Sequence, residues 1–197
     1  LYLTDPEVRA YVLVLGVVVA IVVWVLISNP GASDSPIREG IFHAVSIATT
    51  TGYTTTDFSA WPSVAPVILM FAAFAGGCAG STAGGVKIVR VLLIYKQGAR
   101  EINRLIHPNG VFRIKLGDQK VSDRVVEAVW GFFSMYVIVF LCSVAFMMLI
   151  SEVDFLTAFS AIGATLNNLG PGLGDVAAHY GGLPDADKWL LMVVMLL

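Results

Sequence analysis

Two stretches of the chain run without charge for the length of a bilayer crossing. Ala10 to Ser28 holds 19 uncharged residues, and as a helix rising about 1.5 Å per residue it extends about 28 Å, close to the thickness of a bilayer core. Ala128 to Ile150 holds 23, enough to span with some tilt. A third uncharged stretch, Ala60 to Val86, is long enough but contains AGGCAGSTAGG, with five glycines between Gly76 and Gly85. That many glycines break a spanning helix, and broken backbone at membrane depth is tolerated only where it is buried in protein or lines a water-filled path. The competing reading is close helix packing through small residues. Two shorter helices are predicted at about Pro36 to Thr49 and Asp154 to Ala164, each at the foot of a polar, glycine-bearing turn. About a dozen residues cannot span. The chain therefore enters the membrane, turns at TTGYTTTD or TLNNLGPG, and returns to the face it left. A helix so placed aims its carbonyl end, carrying about −0.5 of a charge, toward the turn, where it favours a cation.

Composition agrees with lipid as the solvent: 57% of the 197 residues are hydrophobic and 13% charged, against roughly 45–50% and about 25% in soluble domains. The mean hydropathy is +0.81. Disordered, collagenous and disulfide-scaffold classes are excluded by these values. The two cysteines, Cys78 and Cys142, lie in apolar runs and read as packing residues. Nine of the 12 basic residues fall between Lys87 and Arg124, which puts that loop on the cytoplasmic side. The loop could serve topology and anionic lipid contact alone, or dock a cytosolic partner. The segments following the complete spans are acidic, with Asp34, Glu39, Asp57, Glu152, Asp154, Asp175, Asp185 and Asp187 against Arg38 and Lys188. An acidic outer face concentrates cations. A net charge of −2 gives no reason to expect nucleic acid. No cleavable signal peptide is visible, and a chain that opens on Leu1 and stops inside an apolar run is expected to be a fragment.

The halves repeat. A shift of 115 residues lays Ala10 on Val125, Ser46-Ile47-Ala48 on Ala161-Ile162-Gly163, and Thr50-Thr51-Gly52-Tyr53 on Thr165-Leu166-Asn167-Asn168. The second copy then carries about seven extra residues before its proline, Pro184 against Pro62. This gives an organisation of one unit over 1–108, a basic linker over 109–124 and a second unit over 125–197. Each unit reads as spanning helix, short helix, irregular turn and second helix, as in pores and transporters built from internal repeats.

Thr50-Thr51-Gly52-Tyr53-Thr54 shares Thr, Gly and Tyr in position with the TVGYG loop of potassium channels, whose main-chain carbonyls replace the ion's hydration shell. Glycine permits the required backbone, and threonine hydroxyls add acceptors. The closing glycine is absent. At ATTTGYTTTDFSAWP (48–62), FAGGCAGSTAGGVKIVR (74–90) and ATLNNLGPGLG (164–174) the chain resembles the pore subunit of the Trk/Ktr potassium-uptake superfamily, in its bacterial TrkH branch. The likeness covers all 197 residues as the third and most of the fourth of four repeats. It implies an all-α integral membrane fold of helix–pore-loop–helix units around a pseudo-fourfold pore, with one inner helix broken. It also implies a multi-pass protein of the bacterial inner membrane that carries potassium and has no covalently bound cofactor. Carried over by position, the filter is Thr50, Thr51, Gly52, Tyr53 and Thr54 with Thr165, Leu166, Asn167, Asn168 and Leu169, and Asn167 stands in place of the key glycine Gly52. The gate is the loop containing Gly76, Gly77, Gly80, Ser81, Thr82, Gly84 and Gly85. A homodimer in lipid and a cytosolic nucleotide-binding regulator of TrkA type are implied as partners.

Soluble alternatives fail on spacing. GSTAGGVK at Gly80 to Lys87 is not a phosphate-binding loop, since a valine precedes the lysine and no hydroxyl follows it. Asp57 and Asp175 have no His or Cys neighbour suited to acid–base work and read as outer charge. His43 reads as a packed or hydrogen-bonded residue, not a metal ligand. An enzyme is not expected. Two other readings stay open: a sodium-permeable or non-selective channel of the same fold, and a membrane enzyme or scaffold binding a lipid or anion at Ser81 and Thr82.

Overall fold

The structure, a computed structural model, describes residues 5–62, 64–108, 110, 112–117 and 119–197. Leu1 to Thr4, which open the first unit, Ser63, and Asn109, Val111 and Asp118 of the basic linker lie outside the described residues. The elements run α1 (Pro6–Ser28), α2 (Pro36–Ala48), α3 (Val64–Ala75), α4 (Ile88–Ile106), β1 (Lys115–Leu116), β2 (Gln119–Lys120), α5 (Asp123–Ile150), α6 (Phe155–Leu166) and α7 (Asp185–Met195). Short 3-10 turns at Phe58–Ala60 and Gly174–Val176 precede α3 and α7.

In water the run VVVAIVVWV inside α1 would favour a strand. It is nevertheless helical, the form in which a single segment satisfies all its own backbone N–H and C=O groups, as hydrocarbon surroundings would require. Asp5 fixes the start: its carboxylate accepts from Glu7 N–H at 2.8 Å, with Pro6 at the first helical position. Length and composition suit α1 and α5 to cross a membrane. The buried stripe of α1, Val18, Val22, Val25 and Leu26, follows the helical spacing and packs on α2 and α3. Gly40 of α2 makes this approach close: a Cβ there would lie 2.8 Å from Val23 Cγ2.

Two main cores form, the first of which also takes in Ala164, Leu169 and Leu173 of the second unit. One cluster joins α1, α2 and α3 through residues such as Val22, Leu26, Ile47 and Leu69. The other joins α5, α6 and α7 through Met147, Ile162, Leu191 and Val194. Phe74 at the end of α3 packs against both. Its ring meets Phe140 edge-on at 5.3 Å and Phe159 at 6.3 Å, geometries that favour aromatic pairs. Gly163 of α6 gives α3 room, since a Cβ there would lie 3.0 Å from Phe74 Cζ and 3.4 Å from Met70 Sδ.

The basic segment holds structure that periodicity did not foretell: β1 and β2 form an antiparallel hairpin pairing Lys115 with Lys120. Lys96 of α4 donates to the Lys115 carbonyl and Arg100 pairs with Asp123 at 2.6 Å, so α4 and the hairpin are fastened together at the start of α5. Cys78 and Cys142 are both free, and Cys142 is exposed on α5 instead of packed.

Gly163→Leu is expected to wedge α3 from α6 and lower stability by about 1–3 kcal/mol, the usual cost of overpacking, while Gly163→Ala costs less. A reduced melting temperature in detergent checks this. Asp154 caps α6 by accepting from Leu156 and Thr157 N–H at 3.1 and 3.3 Å. Hydrogen bonding, from the Thr157 side chain foremost, holds its carboxyl below the ordinary carboxylate range against partial desolvation. A depressed folded pKa gives stabilisation that is complete above the unfolded value, about 3.9, and fades as pH falls through the lower folded value. The stability difference between wild type and Asp154→Ala should therefore hold at neutral pH and shrink below about pH 4.

Candidate functional site: two helix-end turns and the glycine loop

Both short helices end in the same backbone device. At the end of α2, Thr50 N–H donates to Ile47 O at 3.0 Å and Thr51 N–H to Ser46 O at 2.8 Å. Thr50 and Gly52 have φ of +54° and +80°, with an ordinary residue between them. At the end of α6, Asn168 N–H donates to Thr165 O at 3.0 Å and Leu169 N–H to Ala164 O at 2.8 Å. Asn168 and Gly170 have φ of +51° and +104°. Each position in the second turn lies 118 residues after its counterpart in the first.

That spacing corrects the register of 115 read from the sequence. Gly170, not Asn167, is the counterpart of Gly52, and Asn168 to Gly172 is the counterpart of Thr50 to Thr54. Thr165 and Leu166 are still helical, and Asn167 is the helix cap. The error came from matching residue types, Ile47 with Ile162 and Thr50 with Thr165, when the helix end sets the register. Asn167 replaces Thr49, whose hydroxyl donates back to Val45 O at 2.7 Å. In the same way the Asn167 amide donates to Gly163 O at 2.6 Å. With prolines 122 apart, the second unit has four extra residues after the turn, not seven.

The turns are held by side chains that the sequence did not single out. Ser46 Oγ donates to Tyr53 O at 2.7 Å. The buried Ser160 hydroxyl accepts from Leu173 N–H at 2.8 Å and lies 3.1 Å from Leu173 O. Tyr180 donates to Gly170 O at 2.6 Å, and burial pushes its phenol up to about 12. Tyr136 of α5 donates to the Asn167 side-chain oxygen at 2.8 Å. Only the abundance of small hydroxyl residues near the turns hinted at such stitching. His43 is fully buried between Phe58 and Trp61, with Nδ1 2.9 Å from Glu39 O. It is the packed, hydrogen-bonded residue expected. Among the described residues no cluster of three or more His, Cys, Asp or Glu is placed to hold a metal.

Gly76 to Lys87 leaves the helical path between α3 and α4. Its two limbs are paired by Val86 N–H to Phe74 O at 3.0 Å and Ile88 N–H to Gly77 O at 3.1 Å. Gly76, Gly80 and Gly85 carry positive φ, so the glycines make a true interruption instead of a packing stripe. The loop lies against both turns. Gly84 N–H donates to Thr50 Oγ1 at 3.0 Å. A Cβ on Gly84 would fall 1.8 Å from Asn167 O, and one on Gly52 would fall 2.0 Å from Leu169 O. Thr50, Gly52, Gly84, Asn167 and Leu169 thus converge, while the sequence-named Ser81 and Thr82 lie at the exposed end of the loop.

Comparison with known proteins agrees with this arrangement. The family described as TrkH, cation transport protein, matches residues 1–197. The Trk system potassium uptake protein TrkH of Halomonas elongata is 48% identical over 201 residues, covering 100% of this chain and 41% of that protein. Its namesake in Escherichia coli K12 is 46% identical over 99% of this chain and 41% of its own length. The crystal structure of the potassium transporter TrkH from Vibrio parahaemolyticus superposes with a TM-score of 0.91 at 47% identity, covering 99% of this chain and 42% of that one. The chain thus spans about two-fifths of the length of the relatives it matches. With the whole chain inside the family match, its helices arranged as in the solved transporter, the chain belongs to the TrkH family of cation transport proteins, which are membrane transporters and not enzymes.

Proposed function

We propose that the protein takes up potassium across the bacterial inner membrane through a pore whose filter is made of main-chain carbonyls. The observation that carries this is the duplicated turn at the carbonyl end of a short helix, Thr50 to Thr54 and Asn168 to Gly172, with Gly52 against the Leu169 carbonyl. Alternating signs of φ turn successive carbonyls toward a common side, whereas a strand points them alternately. A ring of such carbonyls can replace the hydration shell of a monovalent cation. The helix carbonyl ends behind the turns add favourable potential. Potassium as the cargo is supported by the names of the relatives, Trk system potassium uptake proteins. It enters here as the transported substrate.

Residues 1–108 and 125–197 act as two of four pore repeats joined by the basic linker. The packing of α3 on α6 supplies the pattern for closing the ring. By the spacing of the prolines the residue of α7 that corresponds to Met70 of α3 is Met192, and with Leu191 and Met195 it lines an open cleft beside Asn168 and Gly170. At the other end Val45, the counterpart of Gly163, lines a second open cleft with Ile41 and Tyr53. Preceding repeats of the full-length protein occupy these clefts. The loop from Gly76 to Gly85 is the gate, because it lies against the inner end of the filter and is anchored there through Thr50 Oγ1. The protein works as a homodimer in lipid, and a TrkA-type nucleotide-binding subunit docks on the basic cytoplasmic face made by α4 and the hairpin.

Rubidium and sodium flux into liposomes carrying the full-length protein tests the reading. Gly52→Ala is expected to abolish the preference for rubidium, since its Cβ would collide with the Leu169 carbonyl. Tyr53→Phe should leave it nearly unchanged, because the Tyr53 side chain is 72% exposed and its carbonyl keeps its bond from Ser46. Equal effects of the two would refute a backbone filter, and wild-type flux indifferent to the cation would favour the non-selective channel. Gly170→Ala has open space around its Cβ but a φ of +104°, so any loss of selectivity there isolates backbone conformation from crowding. Gly170→Ala is expected to weaken the preference. Deleting Ala79 to Gly84 should raise flux in a normally inserted protein, whereas unchanged flux would make the loop purely structural.

A further inference from the structure

Lys87 stands where a lysine costs the most. Its φ is +71°, a region that residues bearing a Cβ seldom enter. It is the N-cap of α4 and makes no side-chain capping bond there, at a position that suits Ser, Thr, Asp or Asn. It also places a cation at the positive end of a helix. Glycine or asparagine would remove all three penalties. What lysine gains instead is contact with the loop. Its ammonium donates to the Ser81 carbonyl at 2.8 Å and to the Ala83 carbonyl, with Ser81 Oγ at 3.4 Å. Local disfavour offset by one specific set of contacts is the mark of a residue kept for function.

We propose that Lys87 is the latch of the intramembrane loop, holding it closed as a resident ammonium among loop oxygens. The inference rests on the reading of the loop as a gate. Ala83 is adjacent to Gly84, whose N–H is bonded to Thr50 at the base of the filter turn. The hold of Lys87 on the Ala83 carbonyl therefore acts one residue from the contact between loop and filter. Carbonyl and hydroxyl oxygens are also the ligands that a partly dehydrated monovalent cation takes. A cation leaving the filter competes with the ammonium for the same acceptors, and displacing Lys87 frees the loop. The positive charge of Lys87 adds a repulsive step for the cation until the latch gives way.

The test uses full-length protein in liposomes with rubidium flux as the readout, on wild type, Lys87→Met, Lys87→Arg, Lys87→Gly and the Ala79–Gly84 deletion. Lys87→Met keeps the strained backbone and removes the ammonium, and should raise flux about tenfold, as expected from losing one charge-assisted hydrogen bond. Lys87→Arg keeps donors for the carbonyls and should stay near wild type. Lys87→Gly relieves the backbone as well and should match Lys87→Met. If the deletion raises flux while Lys87→Met does not, the gate stands and the latch falls. An increase in Lys87→Gly alone would assign the effect to backbone strain and overturn the latch. If neither the deletion nor Lys87→Met changes flux, both readings fall. Should Lys87→Met fail to insert, Lys87→Cys in a background carrying Cys78→Ala and Cys142→Ala is measured before and after aminoethylation, which rebuilds a side chain ending in an ammonium. Flux that falls on rebuilding supports the latch, and flux that does not change overturns it.

Discussion

Irregular backbone inside a bilayer must be satisfied by the protein itself, because hydrocarbon supplies no hydrogen-bond partner. The two spanning helices meet the constraint by their own ladders. The turns and the glycine loop meet it by borrowing: Ser46, Thr50, Ser160, Tyr136 and Tyr180 each place a hydroxyl on the backbone, or on the capping residue, of a segment that lacks a ladder. An unmet group in such surroundings costs several kcal/mol. The hydroxyls therefore determine where non-helical backbone can exist in this fold. Two turn carbonyls, those of Tyr53 and Gly170, are themselves held by Ser46 and Tyr180, and the proposed filter offers a cation the others.

The long apolar helices, the short helices before the turns and the broken helix were legible in the sequence because each rests on a property that accumulates along the chain. Apolar length, the lack of length in Pro36 to Ala48, and glycine density all survive small errors of alignment. The register of the second turn was not legible. It depends on where α6 ends, and that end is fixed by Asn167 bonding back to Gly163 and receiving Tyr136 from another helix. A contact from 31 residues away leaves no trace in local pattern. The hairpin at Lys115 to Lys120 was hidden for a related reason: two-residue strands show no periodicity, and a charge run masked them.

The corrected register makes the two units more alike than their letters suggest. Threonine at 49 and asparagine at 167 both return a side-chain donor to the helix carbonyl four residues earlier. Threonine at 50 and asparagine at 168 share a left-handed backbone, which asparagine tolerates better than threonine. Thr50 bears this conformation while its hydroxyl accepts from Gly84. The first unit thus trades backbone ease for a bond to the loop.

Phe74 belongs to two assemblies at once. Its ring is wedged among Phe140, Phe159 and Tyr136 of the second unit, while its carbonyl receives Val86 at the root of the glycine loop. A side chain and a main chain that share one Cα cannot be displaced independently over more than a bond rotation. Any rocking of one unit on the other is therefore geared to the root of the loop.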